Sequence, residues 1–281
     1  MRRLYGPGLV SSFGVLAMAT VLVVPGFAAP SAQPASTGAV TMEWLGWSHF
    51  RFTSPTGKII LTNPFTSNPD SPVKPEDIEH ADLIVAADGH GDEIGSTIAI
   101  AQNTGARTFT PFELGTWLVE QGVPMAQVTR SNPGGRLKLG DITVRMVAAQ
   151  HGSGLPAPSP TTPYGGPAAG YFITFENGWT VYFSGSTPAM TDQAIWAQLY
   201  KPDLAILHMG GDHDPLDFAY QVKLLKTENP NLKMIVPHHN RVTPAQGQVT
   251  VAEMQQAMDD MGVGLQLTQP PLAQPMSFSK P

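Results

Sequence analysis

The chain has 281 residues, 42% of them hydrophobic and 14% charged, enough to build a sizeable core in one large domain or two fused halves. A formal net charge of −6, with no basic patch along the chain, speaks against a nucleic-acid-binding surface. There is no cysteine, so disulfides, thiolate ligands and a lipidated Cys are excluded, and any metal must be held by His, Asp and Glu.

Residues 1–32 read as a secretory signal peptide. Arg2 and Arg3 supply a positive start, "LVSSFGVLAMATVLVV" an apolar stretch, and "PGFAAPSA" a small-residue cleavage region. Pro25 and Gly26 break the apolar stretch, which favours cleavage over a membrane anchor. The small residues Ala28 and Ala32 predict a mature chain beginning near Ala29 or Gln33, in the periplasm or secreted, with no stable membrane anchor. Residues 33–41 read as a flexible linker.

A domain is expected over 42–268. "MEWLGWSHFRFTS" (42–54) and "IILTNPF" (59–65), separated by "PTGK", predict a β-hairpin. The apolar run "ADLIVAA" (81–87) predicts a strand, and "GSTIAIAQNTG" (95–105) a helix stopped by Gly105. A strand over 106–112, a short helix over 113–122, and two strands in "GRLKLG" and "DITVRMVAAQH" complete this half. "AAGYFITFENGWTVYFSGS" (168–186) then predicts a hairpin turning at Asn177-Gly178. Helices at 191–200, 214–230 and 251–262 alternate with strands at 202–209 and 232–240, and 269–281 reads as a C-terminal tail. Two halves of strands followed by helices suggest sheet packed on sheet with helices outside.

The chemistry-bearing residues collect where strands end. "AADGHGDEIG" (86–95) packs Asp88, His90, Asp92 and Glu93 into six positions directly after an apolar strand. Of the eight His in the chain, His90, His151, His208, His213, His238 and His239 all lie at or just after such ends. Strand ends on one edge converge in space, so this pattern predicts a site. In an extended Asp-x-His segment residues i and i+2 share a face, which lets Asp88 and His90 address one ion. Asp92 and Glu93 begin a helix, where the dipole favours carboxylates even without metal. His238 is expected to face away from His239, and His49 and His80 to be structural or surface residues. The long Pro/Gly-rich stretch 152–170 reads as a flap carrying Tyr164 as a substrate contact, or equally as an inert surface loop.

The order of these motifs resembles the metallo-β-lactamase-fold hydrolases, in particular the ascorbate-6-phosphate lactonase-like branch. The resemblance spans about residues 42–265, through "EWLGWSHFRFTSPTGKIILTNPF", "LIVAADGHGDEIGSTIAIAQNTGA", "MVAAQHGSG", "VYFSGSTP", "DLAILHMGGD" and "KMIVPHHN". It implies an α/β fold, a four-layer αββα sandwich, with the site at one edge between the sheets.

Against the family's His-x-His-x-Asp-His pattern, His90 and Asp92 match, while Asp88 and Glu93 stand where histidines are usual. His151 and His239 fall at the family's downstream ligand positions. Asn63 replaces an acid, and Ser186 replaces the Asp that commonly bridges two metals. The resemblance therefore implies a divalent cofactor of one or two ions. Its extra oxygen ligands favour harder ions such as Mn or Fe, and Zn remains compatible. His208 or His213 is the candidate replacement for the missing bridge, with Asp212 and Asp214 beside His213. The implied function is a metal-dependent hydrolase of a small-molecule ester, lactone, amide or phosphodiester, with Asp92 or Glu93 holding or deprotonating the water. The alternative is a degenerate, non-catalytic member that binds metal or ligand, because Ser186 cannot bridge two ions.

Overall fold

The structure, a computed structural model, describes residues 38–157 and 161–280. The expected signal peptide, its cleavage positions and most of the linker lie outside the described residues. No helix among the described residues is long and apolar enough to cross a membrane.

Two sheets form the centre. In the first, β1 (Val40–Trp44), β2 (Phe50–Thr53) and β3 (Ile59–Thr62) make an antiparallel meander, continued in parallel by β4 (Leu83–Val85), β5 (Arg107–Pro111) and β6 (Val128–Ser131). The second runs antiparallel through β7 (Arg136–Leu139), β8 (Ile142–Ala148), β9 (Ala169–Thr174) and β10 (Thr180–Phe183). It then continues in parallel through β11 (Leu204–His208) and β12 (Met234–His238). Each half thus begins as an antiparallel meander and ends as parallel crossovers through helices. The expected αββα sandwich is the observed one.

Side-chain alternation explains the layering. Along β1 and β2 every second residue is buried, and the outward pair Glu43 and Arg51 closes a two-pronged ion pair at 2.7 Å across the strands. The inward Phe50 and Phe52 pack between the sheets against Val144, Ile173 and Phe183. Burying each such aromatic contributes roughly 1.5–3 kcal/mol relative to exposure. On the outer faces, α1 (Gly91–Ile94), α2 (Thr97–Thr104) and α3 (Phe112–Glu120) cover the first sheet, with Ile100, Leu114 and Leu118 against Leu61 and Ile84. Helices α4 (Asp192–Tyr200), α5 (Pro215–Glu228) and α6 (Val251–Asp260) cover the second, with Phe218, Val222 and Met254 against Phe172, Ala205 and Leu207.

Four expectations change. The single strand over 42–54 is two strands, because Gly46 and Trp47 take φ of +91° and +57° and reverse the chain. Gly95, at φ +50°, separates α1 from α2; a Cβ there would meet the Pro64 carbonyl at 2.5 Å, so the chain must break its helix at this point. The tail contributes a strand: β13 (Met276–Phe278) adds antiparallel to β1, with Met42 opposite Met276. β1 itself starts at Val40, inside the stretch set aside as linker. A three-residue edge strand carries too little alternation to be read from sequence.

Two hydrogen bonds join the sheets at the edge where the ligand-type residues emerge. Ala169 N–H donates to the Ala87 carbonyl at 2.8 Å, and the buried Tyr171 hydroxyl donates to Ala86 at 2.8 Å. The end of β4 and the start of β9 are thereby fixed to one another.

Candidate metal centre

The residues of "AADGHGDEIG" leave β4 and turn at once. Asp88 Oδ1 accepts from His90 N–H at 2.9 Å, a local turn that orients both side chains. One ligand atom from each of Asp88, His90 and His151 lies within 4.8 Å of the others, the spacing at which three donors can share an ion. His151 arrives from just beyond β8, and its ring centroid is 5.0 Å from that of His90. Gly89 is needed between the two ligands, because a Cβ would come to 3.0 Å from the Ser153 carbonyl.

A second group adjoins the first. His239 Nε2 lies 3.2 Å from Glu93 Oε1 and 3.4 Å from Asp92 Oδ2. Trp47 Nε1 donates to Asp92 Oδ2 at 2.9 Å, and the Trp47 and His239 rings are 5.1 Å apart. Ser186 donates to Glu93 Oε1 at 2.6 Å. Glu93 is fully buried, so it is not a solvated acid at a helix start; its partners are Ser186 and His239. Asp92 keeps a third of its side chain exposed.

His208 connects the groups, with ring centroids 6.0 Å from His151 and 4.9 Å from His239. Its Nδ1 is buried without a hydrogen-bond partner. His213 is 5.2 Å from His208 but its Nε2 is engaged by Asp217 at 3.0 Å, rather than by the neighbouring Asp212 or Asp214.

His238 does not face away as expected. An extended strand would send adjacent side chains to opposite faces, but His239 sits at φ +62° and breaks the alternation. The two Nδ1 atoms come to 2.7 Å, and His238 Nε2 reaches Ser184 Oγ at 3.2 Å. Nδ1–H of His239 donating to His238 leaves His239 Nε2 facing the carboxylates, the arrangement in which a histidine ligand is oriented from behind.

His49 is buried, as a structural residue would be, and burial followed by the charge of Arg51 pushes its pKa down to about 3. The exposed His80 lies 3.1 Å from Asp82. The base of the 152–170 stretch is tied down rather than free: Gly165 N–H donates to Ser153 at 2.6 Å, and Gly89 N–H to Ser153 Oγ at 3.1 Å. Tyr164 is exposed, beside α3.

The electrostatics are those of a site short of positive charge. Burial, and then the charge of Glu93, pushes the Asp88 carboxyl up to about 8. Asp88 Oδ2 and Glu93 Oε2 are buried without partners. Burial lowers His239, but the charge of Glu93 and hydrogen bonds to Asp92 and Glu93 outweigh it and raise the ring to about 9. Burial would raise Asp92, yet the hydrogen bond and charge of His239 and the Trp47 donor hold it well below the ordinary range. Burial and the neighbouring rings lower His208 and His151, so both are neutral and available as ligands near pH 7. Orphaned carboxylate oxygens beside neutral imidazoles are costly on their own and fit a divalent cation.

Trp47, Ser184 and His238 are the contributors that sequence reading missed. The signal for Trp47 was the Gly46-Trp47 pair inside an otherwise strand-like run, a break that marks a turn.

The beta-lactamase superfamily domain matches residues 58–267. A UPF0173 metal-dependent hydrolase of Myxococcus xanthus is 33% identical over 242 residues, covering 84% of each chain. Another, from Koribacter versatilis, is 36% identical over 202 residues, covering 70% of this chain and 83% of its own. Among solved structures, Igni18, a metallo hydrolase from Ignicoccus hospitalis, superposes with a TM-score of 0.70 at 25% identity, covering 86% of this chain and all of its own. An isothiocyanate hydrolase from Delia radicum gut bacteria shares the fold, with a TM-score of 0.64 at 19% identity over 85% of this chain and all of its own.

Proposed function

This chain belongs to the beta-lactamase superfamily's metal-dependent hydrolases, and we propose that it is an exported enzyme cleaving a small ester, lactone, amide or phosphodiester at this edge of the sandwich. The observation that carries the reading is the convergence of Asp88, His90 and His151 within 4.8 Å, beside carboxylate oxygens that have no partner.

In this reading Asp88, His90 and His151 hold one cation. Asp92, Glu93 and His239, paired with one another at 3.2–3.4 Å, would supply ligands to a second once His239 gives up its Nε2 proton, in a set richer in oxygen and suited to Mn or Fe, with Zn more at home in the first. A divalent cation supplies Lewis acidity, polarising the scissile group and lowering the pKa of a water. The rest is done by the chain. Asp92, ionised and partly exposed, would hold the attacking water by accepting a hydrogen bond from it, and Trp47 fixes the direction of its carboxylate. Glu93, buried and held by Ser186, positions His239 rather than touching substrate. His208 stands between the two groups with an unpartnered nitrogen and would supply one replacement ligand where the bridging acid is missing; His213, held by Asp217, is its neighbour. Export rests on the charge and apolar pattern of residues 1–32.

The test is metal content by elemental analysis, joined to a screen of chromogenic esters, lactones, amides and phosphodiesters. Turnover that disappears on chelation and returns with Mn, Fe or Zn is the expected result. One observation favours the non-catalytic alternative: Ser186 is spent on Glu93 at the position where a bridging acid is usual. Stoichiometric metal with no turnover anywhere in the screen would establish that alternative. N-terminal sequencing of protein from the periplasm tests export, with a start near Ala29 or Gln33 expected.

A further inference from the structure

An open groove of about 750 Å³ lies between α3 and the residues Leu155, Pro156, Ala157, Pro163 and Tyr164, outside the cluster of ligand-type residues. That volume is in the range of small-molecule sites. Phe112, Trp117 and Tyr164 give it aromatic faces, Glu113 and Glu120 give it carboxylates, and among the described residues no Lys, Arg or His lines it. Neither carboxylate has a hydrogen-bonding or ion-pair partner among the described residues. Phe112 and Tyr164 are 46% and 64% exposed, which leaves ring surface open to a ligand. The Arg130 guanidinium already lies over the Phe112 ring at 4.9 Å, which shows the affinity of this aromatic surface for cations.

The groove is next to the candidate centre for a topological reason. β4 and β5 are parallel neighbours in register, Val85 opposite Phe109. Beyond the strands Gly165 ties the two together: Leu114 N–H, in α3, donates to the Gly165 carbonyl at 3.1 Å, and a Cβ on Gly165 would lie 3.1 Å from Gly89 Cα, next to the first ligand. Leu155 joins the two regions: it lines the groove, and its Cδ2 lies 3.2 Å from where a Cβ on Gly89 would be. The groove and the candidate centre are therefore neighbours that share Leu155 as a wall.

We propose that the groove is the subsite for an organic ammonium group of the substrate, an aryl- or alkylamine portion held by aromatic faces and by Glu113 and Glu120. The proposal rests on the hydrolase reading for the identity of the occupant as substrate. Its recognition chemistry does not, because ammonium binding there needs neither metal nor turnover. Two carboxylates, outweighing the single Arg130 beside Phe112, repel an anionic ligand and leave a neutral one without an electrostatic gain.

The experiment is a ligand-observed NMR titration of the full chain, chelator-treated and metal-loaded, with phenethylammonium, 2-phenylethanol and phenylacetate as probes. Phenethylammonium should bind at least tenfold more tightly than the other two in both preparations. The E113Q/E120Q double variant should lose that preference while keeping the wild-type circular dichroism spectrum. Tyr164→Ala should weaken the ammonium without creating a preference for the acid. Equal affinities for the three probes, or an ammonium preference unchanged in E113Q/E120Q, would overturn the proposal. Turnover of uncharged esters with no ammonium preference would also overturn it while leaving the hydrolase reading intact. Selective ammonium binding with no turnover of any substrate would sustain the groove as an ammonium site and sink the hydrolase reading instead.

Discussion

Ser186 Oγ donates a 2.6 Å hydrogen bond to Glu93 Oε1, in the buried corner where the resemblance leads one to look for a carboxylate spanning two ions. A hydroxyl in that corner stabilises one carboxylate, whereas an aspartate would add a second negative charge.

That relationship gives the first prediction. Ser186→Ala removes the only donor that neutralises Glu93 without a metal or His239, and a hydrogen bond to a charged group is worth about 1.5–3 kcal/mol. The metal-free variant should lose roughly that much stability in chemical denaturation, and metal should restore most of it. Equal stability of variant and parent in the metal-free state would show that the bond contributes nothing.

Asp88 is tested through metal affinity. Asp88→Ala should weaken binding and activity together, since Asp88 shares the 4.8 Å cluster with His90 and His151. Asp88→His should keep binding and move the preference toward zinc, because an imidazole replaces a hard oxygen. Calorimetric titration of both variants with Zn and Mn is the measurement; unchanged affinity in Asp88→Ala removes Asp88 from the site.

The pH dependence of the metal-free protein has a definite sign. Asp88, raised to about 8 by burial and Glu93, keeps its proton when folded but loses it near 3.9 when unfolded. Its contribution is complete below about 4 and is lost as pH rises through about 8. His239, raised to about 9, contributes fully below about 6.5 and loses that contribution as pH rises through about 9. Asp92, held low, acts oppositely: its stabilisation is present above about 4 and is lost on acidification below that. Melting temperature should therefore fall between about pH 6 and 9 in the metal-free chain, and Asp88→Asn should flatten the lower part of that fall. A rise in melting temperature over the same interval would contradict the assignment.

Trp47→Phe keeps the ring beside His239 but deletes the donor to Asp92. Loss of a group that orients a ligand commonly costs 10–100-fold in affinity or activity. A drop of that size in kcat/KM, with an unchanged fold by circular dichroism, is expected; wild-type kinetics would relieve Trp47 of any part in positioning Asp92.

Gly185→Ala probes the turn that carries Ser186. At φ +60°, a Cβ here would lie 2.1 Å from the Ala169 carbonyl, on the segment that bonds to Ala87. Overpacking of this kind costs about 1–3 kcal/mol, and a left-handed alanine adds to it. Thermal unfolding should report the loss even with metal present.

The sequence by itself determined the elements whose signal is local. Apolar runs such as 81–87, the Asn177-Gly178 turn and the stop at Gly105 were legible because alternation, turn chemistry and helix termination are written within a few residues. The clustering of His and acid at strand ends was legible for the same reason, since a parallel sheet carries its strand ends to one edge. Tertiary structure alone decided the rest. β13 is a strand only because β1 offers it a ladder, and three residues carry too weak a pattern to declare it. Trp47 became a partner of Asp92 through a reversal at Gly46, forty-five residues away in sequence. His238 entered the histidine cluster because His239 adopts a left-handed backbone, a strained choice that local sequence disfavours and surrounding contacts enforce. Glu93 changed character most: a helix-start acid by local pattern, it is a buried partner of Ser186 and His239 once the two sheets close over it. Burial and charge pairing depend on which distant chains meet, and no local period encodes that.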